Sequence, residues 1–331
     1  MTRETRERHA QPCLPCLPGL ACPFIRSIDV TTAYVFPGQG SQFVGMGLEQ
    51  AQVRPVVRGM FNRADDALGF ALSQLCWHGP ETELGDTINT QPAIFTHSMA
   101  MVEMVVLSGE IEAPEFVAGH SLGELSALCA AGAIAFEDGV KLARERGRLM
   151  KLAGEREPGS MAAIIGLDRD ALQAVCDEAS VHYQPGAGVV IANDNSPGQI
   201  VISGGKEAVA AAGAIAKAKG AKRVLLLNVS IASHSPLMAS MSDDFRHVVE
   251  ATPVRAATIP VIGNTTARPI THPDDIRAEL TAQLTSPVRW VESVRYMRER
   301  GVTEFVELGP KDVLCGLIKR TLDDVQIRAI G

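Results

Sequence analysis

No stretch of this 331-residue chain approaches the roughly 20 consecutive apolar residues that carry a helix across a bilayer. The longest candidate, 93–107, is interrupted by Glu103, so no membrane partner is expected. Basic residues are also in deficit: 31 Lys and Arg face 38 Asp and Glu, a formal net charge of −7. That balance argues against broad nucleic-acid binding and leaves any acidic partner to a local basic patch. With 46% hydrophobic and 21% charged residues, the chain is long enough for a substantial core and a second, smaller domain.

Metal ligands are scarce. Of seven cysteines, Cys13, Cys16 and Cys22 lie in the run PCLPCLPGLACP of 12–23. The Cys-x-x-Cys spacing has neither a second such pair nor a histidine pair to complete a zinc set, so no metal is expected. Cys76, Cys129, Cys176 and Cys315 are scattered among apolar neighbours. They read as reduced core residues, which fits a reducing compartment and a cytoplasmic location. The prolines of the first thirty residues suppress helix and sheet ladders, so 1–30 is expected to be a disordered extension outside the fold. It lacks the apolar region and small-residue cleavage site of a secretory signal. Its arginines would suit a transit peptide, but Glu4 and Glu7 would not.

From Thr31 onward, strands alternate with helices. A strand at 33–36 breaks at Pro37-Gly38-Gln39-Gly40, helices are expected over 56–71, 91–107 and 136–152, and an apolar strand covers 115–118. Such alternation indicates an α/β fold with a parallel sheet. The rhythm then changes. A strand over 161–167, a helix over 169–179, a hairpin of 189–192 and 199–203 across 193–198, an Ala-rich helix over 206–219 and a strand over 223–228 follow in turn. This β-α-β-β-α-β order is the split ferredoxin-like unit. The expected domains are therefore a catalytic unit of 31–157 and 229–331, resuming through 260–262 and 304–308, with a ferredoxin-like subdomain inserted at 158–228. A crevice between them is the default ligand site.

The chemistry starts at Gly119-His120-Ser121-Leu122-Gly123, which joins the strand at 115–118 to the helix-compatible run 124–131. A serine on a sharp strand-to-helix turn presents its hydroxyl at the carboxyl end of the sheet, which points to acyl transfer through Ser121. The five-residue pattern alone fits a glycine-rich turn equally well. Among eight histidines, His234, just after the strand that leaves the insert, is the best candidate base. His97 sits in an apolar helix and reads as a hydrogen-bonded core group, while the side chain of His120 leaves the elbow in another direction.

Arg146 falls at the centre of the apolar face formed by Leu142, Ala143, Leu149 and Met150, with Lys141, Arg144, Glu145, Arg148 and Lys151 on the other side. A guanidinium there requires an anion. That anion is either a buried carboxylate of the protein or a substrate carboxylate gripped by two parallel hydrogen bonds. The loop Gly38-Gln39-Gly40 lacks the Gly-Lys-Ser/Thr ending of a phosphate loop. It is either a tight turn or a source of oxyanion-binding amides together with Leu122.

Seven segments, in order, carry a resemblance: 35–42 (Val-Phe-Pro-Gly-Gln-Gly-Ser-Gln), 90–93 (Thr-Gln-Pro-Ala), 119–124 (Gly-His-Ser-Leu-Gly-Glu), 146–148 (Arg-Gly-Arg), 195–199 (Asn-Ser-Pro-Gly-Gln), Ser233-His234 and 307–310 (Glu-Leu-Gly-Pro). The chain resembles the malonyl-CoA:acyl carrier protein transacylases from Ala33 to about Lys319. The resemblance implies an α/β-hydrolase-like core with a ferredoxin-like subdomain. It also implies a ping-pong transfer of malonyl from malonyl-CoA to the phosphopantetheine of acyl carrier protein, without a resident cofactor, by an enzyme expected to be a monomer. In the family, the histidine is oriented by a backbone carbonyl, here that of Gln283. The resemblance makes Ser121 the nucleophile, His234 the base, Gln39 and Leu122 the oxyanion donors, Arg146 the carboxylate clamp and Gln91 a polar lining residue. Asn195, Lys222 and Arg223 match positions near the phosphate-bearing arm or the carrier protein.

Residues 231–234, Ile-Ala-Ser-His, lie closer to the Val-Pro-Ser-His of fatty-acid enzymes than to either polyketide pattern, which favours malonyl. A trans-acting malonyl or methylmalonyl transferase of a polyketide synthase is the alternative. An editing acyl hydrolase would have little use for Arg146.

Overall fold

The computed structural model describes residues 30–183 and 186–331. The expected extension and its three cysteines lie outside them, save Val30. Among the described residues, ten strands run in chain order: Thr32–Phe36 (β1), Phe116–Gly119 (β2), Gly159–Ile165 (β3), Val189–Ser196 (β4), Gln199–Gly205 (β5), Arg223–Leu226 (β6), Val261–Ile262 (β7), Pro269–Ile270 (β8), Glu304–Leu308 (β9) and Gln326–Ile330 (β10). Six form one sheet in the order β10-β9-β1-β2-β7-β8. Every pairing is parallel except β7 with β8.

All five residues of β1 are buried, the pattern of a parallel strand covered on both faces. Alternation sends its side chains into two different cores. Tyr34 and Phe36 join Val117, Val306 and the apolar faces of the helices Thr87–Ser108 and Phe136–Arg156. Ala33 and Val35 join Ala118, Phe305 and Trp290 under the helices Trp290–Glu299 and Val313–Lys319. Helices on both faces of a mainly parallel sheet are the expected α/β architecture, and the elbow leaves this sheet from the carboxyl end of β2.

The smaller sheet, β4-β5-β3-β6, is wholly antiparallel. The helices Arg169–Ser180 and Lys206–Ala218 fall between its strands in the chain, completing the ferredoxin-like β-α-β-β-α-β unit. Leu172, Val175, Ile191, Ile202 and Val209 build its separate core.

The hairpin departs from expectation. Residues 193–196, read as a loop, continue β4, with register shifts between Ile191 and Asn193 and again between Asp194 and Ser196. The physical reason lies across the molecule: Val288 of the large unit donates to Ala192 O at 2.8 Å and accepts from Asp194 N–H at 2.9 Å. A single parallel bridge between Asn193 and Val288 thus keeps this polar stretch extended, and the bulges redirect its side chains toward the elbow. Arg320 adds bonds to Ser196 Oγ at 3.2 Å and Gln199 Oε1 at 3.0 Å. Among the described residues, no helix is long and apolar enough to cross a membrane.

Candidate active site

Gly119 and Gly123 explain the elbow. A Cβ at Gly119 would lie 1.9 Å from the Gly123 carbonyl carbon, and one at Gly123 would lie 2.0 Å from Phe36 O. Only glycine lets the strand, the turn and the next helix approach this closely. Between them Ser121 adopts φ 54°, a left-handed conformation that costs about 1–3 kcal/mol for a residue with a side chain. Asn264 fastens it: Oδ1 accepts from Ser121 N–H at 2.7 Å, and Nδ2 donates to Gly119 O at 2.7 Å.

His234, also left-handed at φ 59°, meets the serine from the loop after β6. Its Nε2 is 2.8 Å from Ser121 Oγ. Its Nδ1 faces two carbonyl oxygens, Gln283 O at 2.9 Å and Ser286 O at 3.1 Å. Carbonyls only accept, so the proton sits on Nδ1 and Nε2 is free to accept from the serine hydroxyl. Burial, reinforced by the nearby Arg146 charge, pushes the imidazole down to about 3, so it is neutral near pH 7.

Arg146 is buried, yet no carboxylate lies within salt-bridge distance among the described residues. Its partners are neutral oxygens: Gln91 Oε1 at 2.9 Å, Gln283 Oε1 at 2.7 Å and Ser121 Oγ at 3.2 Å. Burial lowers its pKa to about 10, so the guanidinium stays charged near neutrality. The direct ion pair weighed from the sequence is absent among the described residues, and a buried cation with no carboxylate in contact stands beside the nucleophile.

Gln91 is held by Thr87 Oγ1 at 3.2 Å and Met150 Sδ at 3.1 Å, and Thr87 donates to Gln39 Oε1 at 2.8 Å. This network runs from the loop after β1 to the guanidinium. The main-chain N–H groups of Gln39 and Leu122 have no acceptor among the described residues, which leaves both available to an incoming oxygen. A cavity of about 320 Å³ adjoins this network, lined by Gln39, Thr87, Lys151, Asn228 and Ile231 among others. A larger hollow of about 600 Å³ lies over the helix Lys206–Ala218 and holds none of these catalytic groups.

The remaining candidates separate. Asn195 Oδ1 is 2.7 Å from His120 Nε2, so the bulged strand reaches the elbow through the neighbour of the nucleophile. Lys222 and Arg223 stand exposed at the start of β6 and share no hydrogen bond with the Ser121 cluster. His97 is fully buried, but neither ring nitrogen has a partner among the described residues, correcting its reading as a hydrogen-bonded group. Cys76, Cys176 and Cys315 are buried free thiols, whereas Cys129 is half-buried.

Sequence reasoning missed three contributors. Asn264 lies in an unremarkable polar loop, and Ser286 acts only through its carbonyl. Glu124 carried a signal: it is an acidic residue opening the apolar helix Gly123–Ala130, fully buried, and it accepts a hydrogen bond from Gln283 Nε2.

This constellation has close counterparts. The family model described as the acyl transferase domain matches residues 33–330. The malonyl CoA-acyl carrier protein transacylase of Bacillus subtilis (strain 168) is 45% identical over 288 residues, 87% of this chain and 89% of that protein. Its namesake from Escherichia coli (strain K12) is 45% identical over 299 residues, 90% of this chain and 95% of that one. Among solved structures, an acyl carrier protein S-malonyltransferase from Vibrio cholerae superposes with a TM-score of 0.87 at 42% identity, covering 91% of this chain and 97% of the other. A malonyl-transacylase solved in complex with a type II polyketide acyl-carrier protein gives the same TM-score, 0.87, at 42% identity over 91% and 96% of the chains. By fold, by length and by identity, the chain belongs to the acyl transferase family, among the malonyl CoA-acyl carrier protein transacylases.

Proposed function

We propose that this enzyme transfers a malonyl group from malonyl-CoA to the phosphopantetheine thiol of acyl carrier protein, for fatty acid synthesis, by a ping-pong reaction through malonyl-Ser121. The observation that carries this reading is the Arg146 guanidinium, 3.2 Å from Ser121 Oγ and with no carboxylate in salt-bridge contact among the described residues. An acyl group held at Ser121 with a carboxylate at its far end would answer that charge. An acetyl group would leave it desolvated and unpaired, a penalty of several kcal/mol.

In this scheme, His234 Nε2 takes the Ser121 proton as Oγ attacks the thioester carbonyl. The Gln39 and Leu122 amides receive the developing oxyanion. Coenzyme A leaves with the proton from His234. The carrier thiol then repeats the sequence in reverse. The Gln283 and Ser286 carbonyls replace the carboxylate of a Ser-His-Asp triad, holding the tautomer without adding a buried charge. Gln91 and Gln283 orient the arginine fork. No resident cofactor enters the scheme, since coenzyme A and phosphopantetheine arrive with the substrates.

The reading also assigns a catalytic unit of 31–157 and 229–331, an inserted subdomain of 158–228, a monomer in the cytoplasm, and Asn195, Lys222 and Arg223 to the approach of the phosphopantetheine arm or its carrier. The resemblance to the polyketide transacylase favours one second reading, the same transfer to a polyketide carrier protein.

The test incubates the protein with radiolabelled malonyl-CoA, with and without acyl carrier protein, beside Ser121→Ala. Label on Ser121 that moves to the carrier protein supports transfer. Label lost only to water points to a hydrolase, and absence of label removes the nucleophile assignment. A faster second step with a polyketide carrier would select the second reading.

A further inference from the structure

Glu124 is the acidic group of the site that the scheme above leaves unused. It is fully buried on the helix that starts at the elbow. One carboxylate oxygen accepts from Gln283 Nε2, while Oε1 has no partner among the described residues. The same Gln283 amide offers its Oε1 to Arg146 at 2.7 Å and its Nε2 to Ser121 O at 3.1 Å. One neutral amide therefore separates the clamp from a buried carboxylate. The groups that act on Glu124 are Arg146 from the helix Phe136–Arg156, Glu279 from the helix Pro273–Gln283, and the Asn264 main chain. Both Glu279 oxygens are occupied at 2.6 Å, by Thr265 N–H and Thr265 Oγ1, and His234 is held neutral. Glu124, with an unoccupied oxygen, is the group best placed to change protonation.

We propose that Glu124 is a positioning residue that couples the clamp to a proton: it balances Arg146 in the empty site and takes up a proton on Oε1 when the substrate carboxylate docks on the guanidinium. Without that proton, a second anion would enter a buried site holding one cation, with Glu279 adding a like charge. With it, the Gln283 amide keeps its orientation, because the other Glu124 oxygen still accepts from Nε2. Desolvation already holds this carboxyl well above the usual carboxylate range, and a second anion docking beside it raises it further.

The balance is explicit. In malonylation, the Ser121 Oγ–C bond forms, the C–S bond breaks and the serine proton leaves on the coenzyme A thiol. The malonyl carboxylate is ionised before and after, so this exchange absorbs no proton, and the one on Glu124 comes from water. By reciprocity, malonyl-CoA binds more tightly at low pH, and the advantage is lost as pH rises through the titration of Glu124 in the occupied site.

The inference rests on the proposed transfer and is tested separately from it. Protein in excess over malonyl-CoA is followed with a pH indicator in weak buffer from about pH 6 to 9, while acyl-enzyme is counted by mass. Coenzyme A alone supplies the correction for its thiol. The expected result is uptake that peaks toward roughly one proton per malonyl-Ser121 and vanishes in Glu124→Gln. Full malonylation of the wild-type protein with no uptake at any pH overturns the inference and leaves the transfer standing. Undiminished uptake in Glu124→Gln overturns it in favour of another group. Absence of malonyl-Ser121 removes the transfer reading and this inference with it. If that variant does not fold, Glu124→Asp takes its place: the pH of maximal uptake should move, and an unmoved peak overturns the inference.

Discussion

Arg146 Nη2 lies 3.2 Å from Ser121 Oγ, so the cation that would grip the substrate also touches the nucleophile and lowers the pKa of its base, His234. A substrate carboxylate that cancels this charge should strengthen His234 as a base only when the right acyl group is present. Arg146→Ala should therefore have two effects. The specificity constant for malonyl-CoA should fall by the roughly 2–5 kcal/mol of a truncated buried charge pair, tens- to thousands-fold, while acetyl transfer suffers less. The acid limb of the residual activity should move to higher pH, because one cause of the depressed His234 pKa is gone. Steady-state kinetics with both thioesters across pH would check this. Equal losses for the two would remove Arg146 from selectivity.

Asn264 closes the elbow from below, bonding both Ser121 N–H and Gly119 O at 2.7 Å. Asn264→Ala leaves both main-chain groups without these partners and the left-handed Ser121 without its tether. The expected cost is about 2 kcal/mol of stability, together with a reduced fraction of enzyme that acylates rapidly. Urea unfolding and the burst amplitude with malonyl-CoA measure the two. An unchanged burst would show that the turn holds itself.

Gly147 follows the clamp where the helices Phe136–Arg156 and Thr87–Ser108 touch. A Cβ there would stand 2.5 Å from Thr87 O and 2.9 Å from Ile88 Cα. Gly147→Ala must spread these helices and so lengthen the 2.9 Å bond from Arg146 Nη1 to Gln91 Oε1. Overpacking of this kind costs roughly 1–3 kcal/mol. KM for malonyl-CoA should rise more than KM for acetyl-CoA, and a uniform change in both would disconnect the helix contact from the clamp.

Much of this site was legible because its parts carry local signatures. The glycines flanking Ser121 announce a turn that no larger residue could make. Arg146 betrays itself as a charge on an apolar helical face. His234, by contrast, stood out by position only as the best of eight histidines, and its role and that of Gln283 came through family resemblance, because their meeting depends on two loops brought together by the tertiary fold. Asn264 and Ser286 contribute a side-chain amide and a carbonyl from ordinary-looking loops, which no periodicity marks. The polar run 193–196 was misread as a loop because its second partner, the isolated bridge residue Val288, lies far away in the chain and nothing local to the hairpin implies it.

His97 supplies a pH test independent of catalysis. It is fully buried, its ring nitrogens have no partner among the described residues, and desolvation pushes its pKa down from 6.5 to about 4. The folded state therefore binds this proton only near pH 4, whereas the unfolded chain binds it near 6.5. Stability from the neutral ring is fully present above pH 6.5 and is lost as pH falls toward 4, a change of about 3 kcal/mol. Buried carboxyls with raised pKa values, Glu124, Glu279 and Glu307, act in the opposite direction, so the total profile does not isolate the histidine. The difference between wild type and His97→Leu does. The leucine variant should gain on the wild-type protein steadily from pH 6.5 to 4 in urea-unfolding free energy, and the gain should stop below that. Parallel stability curves would mean that the ring is already solvated or partnered, and that its burial carries no titration cost.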